Sequence, residues 1–86
     1  GDTMNDVVVQ RLRADIDATD RELAGLLRQR AALVRQIWQH KDQTGAPRHD
    51  PVREQQIGDA YVANCPELDA DAVRACVAAV LRASAP

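Results

Sequence analysis

The stretch from Asp6 to Gln43 constrains the fold most, because it contains no proline and only one glycine. Apolar residues recur in it at steps of three, four or seven, the period of a helix with one apolar seam. The seam residues are Val9, Leu12, Ile16, Leu23, Leu26, Leu33 and Ile37. The pattern predicts a single helix over residues 6–42.

The length of this helix implies a partner. About 36 helical residues span roughly 54 Å at 1.5 Å per residue, whereas a compact chain of 86 residues has a radius of gyration near 12 Å. The helix would project beyond such a globule with its seam exposed. A second copy of the same chain is the simplest partner.

The rest of the chain predicts two shorter helices. Thr44-Gly45-Ala46-Pro47 interrupts the first helix, so residues 43–49 are expected to form a loop. Asp50 before Pro51 is typical of a helix start, and Asp69 is a second capping residue. The predicted helices cover residues 51–64 and 70–83. The prediction is one all-α domain over residues 1–86, in which residues 1–5 are a disordered or tag-derived remnant.

Composition excludes several classes of function. The net charge of −2 argues against a broad nucleic-acid surface. The two cysteines, Cys65 and Cys76, lack the spacing of a metal site and are expected to be reduced and mostly buried. Apolar runs of only a few residues indicate no membrane span, and the chain is expected to be cytoplasmic. No metal motif, phosphate loop or dinucleotide fingerprint is present, so neither a metal nor a cofactor is expected.

Arg30 is the important misfit in the apolar seam, because it occupies a position where the pattern calls for an apolar residue. A buried arginine without an anionic partner is very costly. Its partner could be an Asp or Glu, or a bound anion. Alternatively, the side chain could extend along the helix to reach water.

Two further cations lie on the same helix. Lys41 follows Arg30 by nearly three full turns, about 16 Å along the axis, so the two share a face. Arg13 is about 42 Å from Lys41, too far to reach the same ligand within one chain. Two antiparallel copies would bring Arg13 of one to the Arg30–Lys41 stretch of the other. Alternatively, Arg13 and Lys41 are ordinary solvated residues.

The start of the second helix adds polar groups. Arg53 and Glu54 fall in its first turn, where backbone N–H groups are free to bind oxygens, although Asp50 could be only a cap and Glu54 only a dipole partner. Together with the cations, these residues describe a site for a small dicarboxylate. His40 and His49 have no Ser or Cys companion of catalytic-triad type. Any catalysis would therefore rest on positioning and electrostatics.

With these residues identified, the sequence resembles the all-helical, AroQ-type chorismate mutase family over about residues 7–58. The matching positions are Leu12 to Asp17, Asp20, Leu23, Leu27 to Arg30, Ile37, Lys41, Gly45, Pro47, Asp50, Arg53 and Glu54. The resemblance implies an intertwined antiparallel homodimer of three-helix chains with two equivalent sites. It also implies a [3,3] rearrangement of chorismate to prephenate without cofactor or metal. This reaction belongs to the shikimate pathway and would serve either aromatic amino acid biosynthesis or the synthesis of a specialised metabolite.

The resemblance implies a role for each candidate residue. Arg13 from the partner subunit and Arg30 would hold the substrate carboxylates, and arginine suits this through its planar, bidentate fork. Lys41 would donate to the ether oxygen. Glu54 would accept the ring hydroxyl, helped by the backbone near Asp50, and Arg53 would support a carboxylate or the loop.

One departure concerns the late part of the third helix. The family usually supplies a second ether-oxygen donor there, a Gln or Glu, and that position would fall just beyond Pro86. Either Ser84 or Arg82 replaces it, or the donor is missing, at a cost of about 3–4 kcal/mol in analogous sites. We therefore expect weak activity for the chain alone, which a shikimate-pathway partner enzyme that orders the C-terminus could raise.

Three alternatives remain open on the sequence. An isochorismate pyruvate lyase or a 4-amino-4-deoxychorismate mutase would use the same fold and a closely related ligand. A non-catalytic helical dimerisation module would explain the long seam but not Arg30. The chain could also be a regulatory domain of a larger enzyme.

Overall fold

The chain forms three helices in a computed structural model that describes residues 3–44 and 50–86. The first helix, α1, covers Thr3–Thr44, three residues longer at its start and two at its end than the predicted range 6–42. Residues 3–5 are therefore helical rather than disordered, whereas residues 1 and 2, the rest of the predicted remnant, lie outside the described residues. The expected loop over 43–49 does not begin until after Thr44, and residues 45–49, including His49, lie outside the described residues.

The two short helices begin and end where the sequence predicted. Helix α2 covers Pro51–Asn64 and helix α3 covers Ala70–Ala83. Both starts are capped by an aspartate: Asp50 Oδ1 accepts the Arg53 N–H at 3.0 Å, and Asp69 Oδ2 accepts the Ala72 N–H at 2.9 Å. These caps satisfy donors that the first helical turn leaves unpaired. The all-α fold with one long N-terminal helix is confirmed.

Helices α2 and α3 pack against each other as a hairpin. Val73 and Val77 of α3 are buried, and Gly58 of α2 is buried beside Arg74. A Cβ on Gly58 would lie 3.1 Å from Arg74 Nη1, so glycine permits the close approach at this crossing. Cys76 was expected to be mostly buried and is exposed instead, because α3 turns Val73 and Val77 towards α2. Both cysteines are free.

A surface ion pair joins the two short helices and makes their stability depend on pH. Arg74 Nη2 donates to Asp59 Oδ1 at 2.8 Å, and this hydrogen bond lowers the pKa of Asp59 below 3.8. Because the folded-state pKa is depressed, the pair stabilises the fold above pH 3.8 and loses this effect as the pH falls through the lowered pKa. The contribution is small because both side chains are exposed.

We expect the Asp59→Asn variant to be less stable than the parent protein at neutral pH. The difference in the free energy of unfolding should stay constant down to about pH 4 and then shrink, vanishing once the pH is below the lowered pKa of Asp59. Urea unfolding of both proteins across this range measures the difference. A gap that persists unchanged in acid would contradict the assignment.

Helix α1 extends well beyond the hairpin. The molecule measures 65 × 24 × 16 Å with a radius of gyration of 17.8 Å, against about 12 Å for a compact chain of this length. From Thr3 to Gln29, Ala18 alone of the described residues is even partly buried. The seam side chains are exposed, as Leu23 at 62% illustrates. None of the helices in the described part combines the length and apolarity that crossing a bilayer requires.

Candidate active site

A cavity of about 500 Å³ lies where the C-terminal part of α1 meets the start of α2 and the end of α3. Six of the seven predicted site residues line it together. These are Arg30, Lys41, Asp50, Arg53, Glu54 and Ser84. Each of the three helices contributes at least one of them, so the site exists only when the hairpin is docked on α1.

The helical spacing of α1 brings Arg30 and Lys41 to one wall. Eleven residues separate them, close to three turns, and both side chains are half-buried. Trp38, one turn before Lys41, lies under its ammonium group, with Nζ 4.8 Å from the ring centroid. This cation–π contact holds the lysine at the cavity without neutralising its charge. No contact of Trp38 was predicted, although its spacing of three from Lys41 is the signal for one.

The start of α2 supplies both carboxylates of the cavity. Asp50 caps the helix and also lines the cavity, so the capping interpretation and a place at the site are compatible. The Glu54 N–H donates to the Asp50 carbonyl at 3.0 Å, which sets Glu54 in the first helical turn. Its side chain is half-buried and lines the same cavity.

Ser84, at the end of α3, contacts Arg30 directly. Arg30 Nη1 donates to Ser84 Oγ at 2.5 Å, and Ser84 Oγ donates to the Val80 carbonyl at 2.6 Å. Ser84 is 2% exposed and is the most buried polar residue described. A protein partner for Arg30 was anticipated as an Asp or Glu, whereas the structure provides a neutral hydroxyl. Within residues 3–44 and 50–86, the charge of the guanidinium is therefore not balanced by an ion pair.

The cavity carries an excess of positive charge over an apolar wall. Among the described residues, four cationic side chains line it, since Arg82 of α3 joins Arg30, Lys41 and Arg53, against the two carboxylates of Asp50 and Glu54. Apart from Ser84, the other lining residues are apolar: Val34, Ile37, Trp38, Ile57, Ala78, Leu81, Ala85 and Pro86. This combination suits a small, compact dianion with an apolar face and at least one hydroxyl.

Arg13 is the predicted site residue that the single chain does not bring to the cavity. It precedes Arg30 by 17 residues on the same continuous helix, which places it about 26 Å away along the axis. Its side chain is exposed. Within one chain, its predicted role in substrate binding is therefore impossible.

The residues that line the cavity can bind a ligand and polarise its bonds through charges and hydrogen bonds. No group of three His, Cys, Asp or Glu in the described ranges 3–44 and 50–86 could hold a metal ion. His40 is exposed and does not line the cavity. The lining residues offer N–H donors and carboxylate acceptors to a ligand, but no serine or cysteine paired with a histidine base.

Comparison with known families identifies a relationship over most of the chain. A family model described as chorismate mutase type II matches residues 12–85, which includes all seven predicted site residues. Comparison with curated proteins and with solved structures gives no significant match.

Proposed function

We propose, from the premise that the chain belongs to the chorismate mutase type II family, that it is a chorismate mutase acting as an antiparallel homodimer. The observation that carries this proposal is the set of six predicted residues lining one cavity. That cavity has the charge, volume and apolar wall suited to a cyclic dicarboxylate. The family membership supports a reaction of the chorismate mutase type, and the cavity supports this particular substrate.

The proposed reaction breaks one C–O bond and forms one C–C bond within the same molecule. The enolpyruvyl ether bond of chorismate breaks as its methylene carbon bonds to the ring, and the double bonds shift to give prephenate. No proton, electron or group leaves the substrate, so the reaction needs neither a nucleophile nor a base. The protein has to select the folded, chair-like conformer and stabilise charge separation in the transition state.

The carboxylates are held by arginines in this proposal. Arg30 binds one of them through its planar guanidinium, with support from Arg53 at the start of α2. The apolar wall around Ile57 and Leu81 excludes water, which strengthens each of these contacts. The Glu54 carboxylate accepts a hydrogen bond from the hydroxyl of the ring, near the backbone of Asp50.

Lys41 stabilises the charge that develops during the reaction. Negative charge builds on the ether oxygen as the C–O bond lengthens, and an ammonium donor at this oxygen lowers the barrier most in the transition state. The contact of Lys41 with Trp38 keeps this donor at the cavity.

In a homodimer, the partner subunit can supply the Arg13 side chain that the cavity of a single chain lacks. The chain exposes 7033 Å², whereas a compact monomer of 9.4 kDa exposes about 5000 Å². The excess of about 2000 Å² per chain is in the range that obligate dimers bury. Much of it comes from the apolar seam of α1, including Leu12, Ile16 and Leu23.

An antiparallel arrangement of the two long helices puts Arg13 at the right place. When two antiparallel Thr3–Thr44 helices overlap along their full length, the first residue of one faces the last residue of the other. The residue numbers of each facing pair therefore add up to 47. The partner subunit's Arg13 then lies opposite Val34, a residue of the cavity wall between Arg30 and Lys41. Gly25 lies near the crossing point and has no heavy atom within 4 Å of its Cβ position, which leaves room for a second helix.

The test of the proposal is an assay of chorismate loss, with the product identified by chromatography against prephenate. Isochorismate and 4-amino-4-deoxychorismate, assayed in parallel, separate the proposed mutase from the two alternatives on the same fold. Light scattering of the same sample gives the mass in solution. Conversion of chorismate to prephenate by a dimer of about 19 kDa, twice the chain mass, is the expected result.

Two results would reject the proposal. A monomeric protein would contradict the shared site. A dimer that leaves chorismate unchanged, alone and with a shikimate-pathway partner enzyme present, would favour the non-catalytic dimerisation module. Placement in the cytoplasm, which is expected from the sequence, and in aromatic amino acid biosynthesis, which is expected from the proposed substrate, belongs to the same proposal.

A further inference from the structure

The hydrogen bond between Arg30 and Ser84 at the end of α3 indicates a role for Ser84 other than donation to the ether oxygen. We propose that Ser84 is a positioning residue that fixes the guanidinium of Arg30, and that it donates no hydrogen bond to the substrate. The inference deepens the proposed function, because it concerns how the carboxylate-binding arginine of that same site is held.

The Ser84 hydroxyl donates its proton to the Val80 carbonyl and has no second proton to donate. Arg30 Nη1, at 2.5 Å, can only donate, and the Val80 carbonyl, at 2.6 Å, can only accept. The hydroxyl therefore donates to Val80 and accepts from Arg30. A second lone pair remains on Ser84 Oγ, but a carboxylate or an ether oxygen also offers only lone pairs. Ser84 consequently has no proton for either part of the substrate.

The burial of Ser84 makes this arrangement rigid. The residue is 2% exposed, so water does not compete for its hydroxyl. The Val80 carbonyl also accepts the Ser84 N–H at 3.0 Å, which ties the serine to the last turn of α3 through both backbone and side chain. Arg30 thus has one N–H fixed against an immobile oxygen. The other N–H groups of its planar fork are consequently held in one orientation and remain available for a carboxylate.

This arrangement predicts a specific kinetic signature. If Ser84 acts through a group that binds the carboxylate in ground state and transition state alike, its loss weakens substrate binding and raises KM with little change in kcat. If Ser84 instead donated to the breaking ether bond, its loss would lower kcat with little change in KM. The two roles are therefore separable by steady-state kinetics.

The experiment compares Ser84→Ala with a matched control, Thr19→Val. Thr19 Oγ1 also donates to the carbonyl four residues earlier, Asp15 O, at 2.9 Å, but no arginine is bonded to it. We expect Ser84→Ala to raise KM for chorismate by roughly 10- to 100-fold, the loss of one hydrogen bond to a charged group. The kcat value should stay within about threefold, and Thr19→Val should resemble the parent protein in both parameters. A fall in kcat at unchanged KM, or no change in either parameter, would overturn the inference.

A second measurement needs no substrate. In urea unfolding, the effects of Arg30→Leu and Ser84→Ala on the free energy of unfolding should not add. The double variant should be more stable than the sum of the two single changes predicts, because the contact that both remove is lost only once. Strict additivity would overturn the positioning role. If the parent protein does not convert chorismate at all, the proposed function fails, and the unfolding cycle still decides whether Ser84 and Arg30 are coupled.

Discussion

Replacing Arg30 by leucine is expected to lower kcat/KM for chorismate by roughly 100- to 1000-fold while leaving the protein folded and dimeric. Loss of one partner of a desolvated, hydrogen-bonded charge pair costs about 3–4 kcal/mol, and each 1.36 kcal/mol corresponds to a factor of about ten. Arg30 lines the cavity, and its protein partner among the described residues is the neutral Ser84. In the proposed function, the substrate carboxylate is the anion that this arginine binds.

The effect on stability should be opposite to the effect on activity. Arg30 occupies a seam position of α1, where leucine continues the apolar pattern set by Leu26 and Leu33. Replacing a poorly compensated charge by an apolar side chain of similar reach is neutral or stabilising. We therefore expect the urea midpoint of Arg30→Leu to equal or exceed that of the parent protein.

The matched control is Arg28→Leu, which makes the same chemical change two residues earlier on α1. Arg28 is exposed and does not line the cavity. Its replacement should leave kcat/KM within about threefold of the parent value, since surface substitutions away from a site have small effects. Equal activity of Arg30→Leu and the parent protein would remove the basis for a carboxylate site and would favour a dimerisation module.

The boundaries of α2 and α3 could be predicted because they depend on local chemistry. Asp50 before Pro51 and Asp69 before Ala70 each place a side-chain oxygen where the first turn needs an acceptor, and the structure has both bonds. The start of α1 was missed by three residues because no strong capping signal marks it in the sequence. Its end was missed by two residues, although Gly45 directly after Thr44 is a typical residue to follow a helix. The exposure of Cys76 was also missed, since helical periodicity alone does not say how α3 rotates against α2.

The candidate site was predictable to the extent that helical spacing determines it. The separation of eleven residues between Arg30 and Lys41 predicts a common face on α1, and both residues line the cavity. The contact between Arg30 and Ser84 joins residues 54 positions apart and depends on how the α2–α3 hairpin docks on α1. No local pattern encodes that docking. The roles of these residues in turnover stay predictions, to be decided by the variants.

The largest effect is expected from mixing two inactive variants. In the proposed dimer each site takes Arg13 from one chain and Lys41 from the other. The variants Arg13→Ala and Lys41→Ala should each be nearly inactive as homodimers, because every site then lacks one cation. In a heterodimer of the two, one site lacks both residues, whereas the other has both intact and is expected to work as in the parent protein.

The recovered activity can be calculated from random assortment. After joint unfolding and refolding of equal amounts, about half of the dimers are heterodimers, and one of their two sites is intact. The mixture should therefore regain about one quarter of the parent activity, starting from two nearly inactive samples. The assay is chorismate loss before and after mixing, with each variant refolded alone as the reference.

The control mixes two variants, Arg30→Ala and Lys41→Ala, whose altered residues belong to the same chain's part of the site. Both residues line the cavity of a single chain, so every site in their heterodimer keeps one lesion and no activity should return. Recovery in the first mixture and not in the second can arise only if Arg13 acts across the subunit boundary. Failure of the first mixture to recover, although light scattering shows refolded dimers, would mean that Arg13 does not contribute to a shared site, because the 26 Å that separates it from Arg30 along α1 leaves it no other route to the cavity.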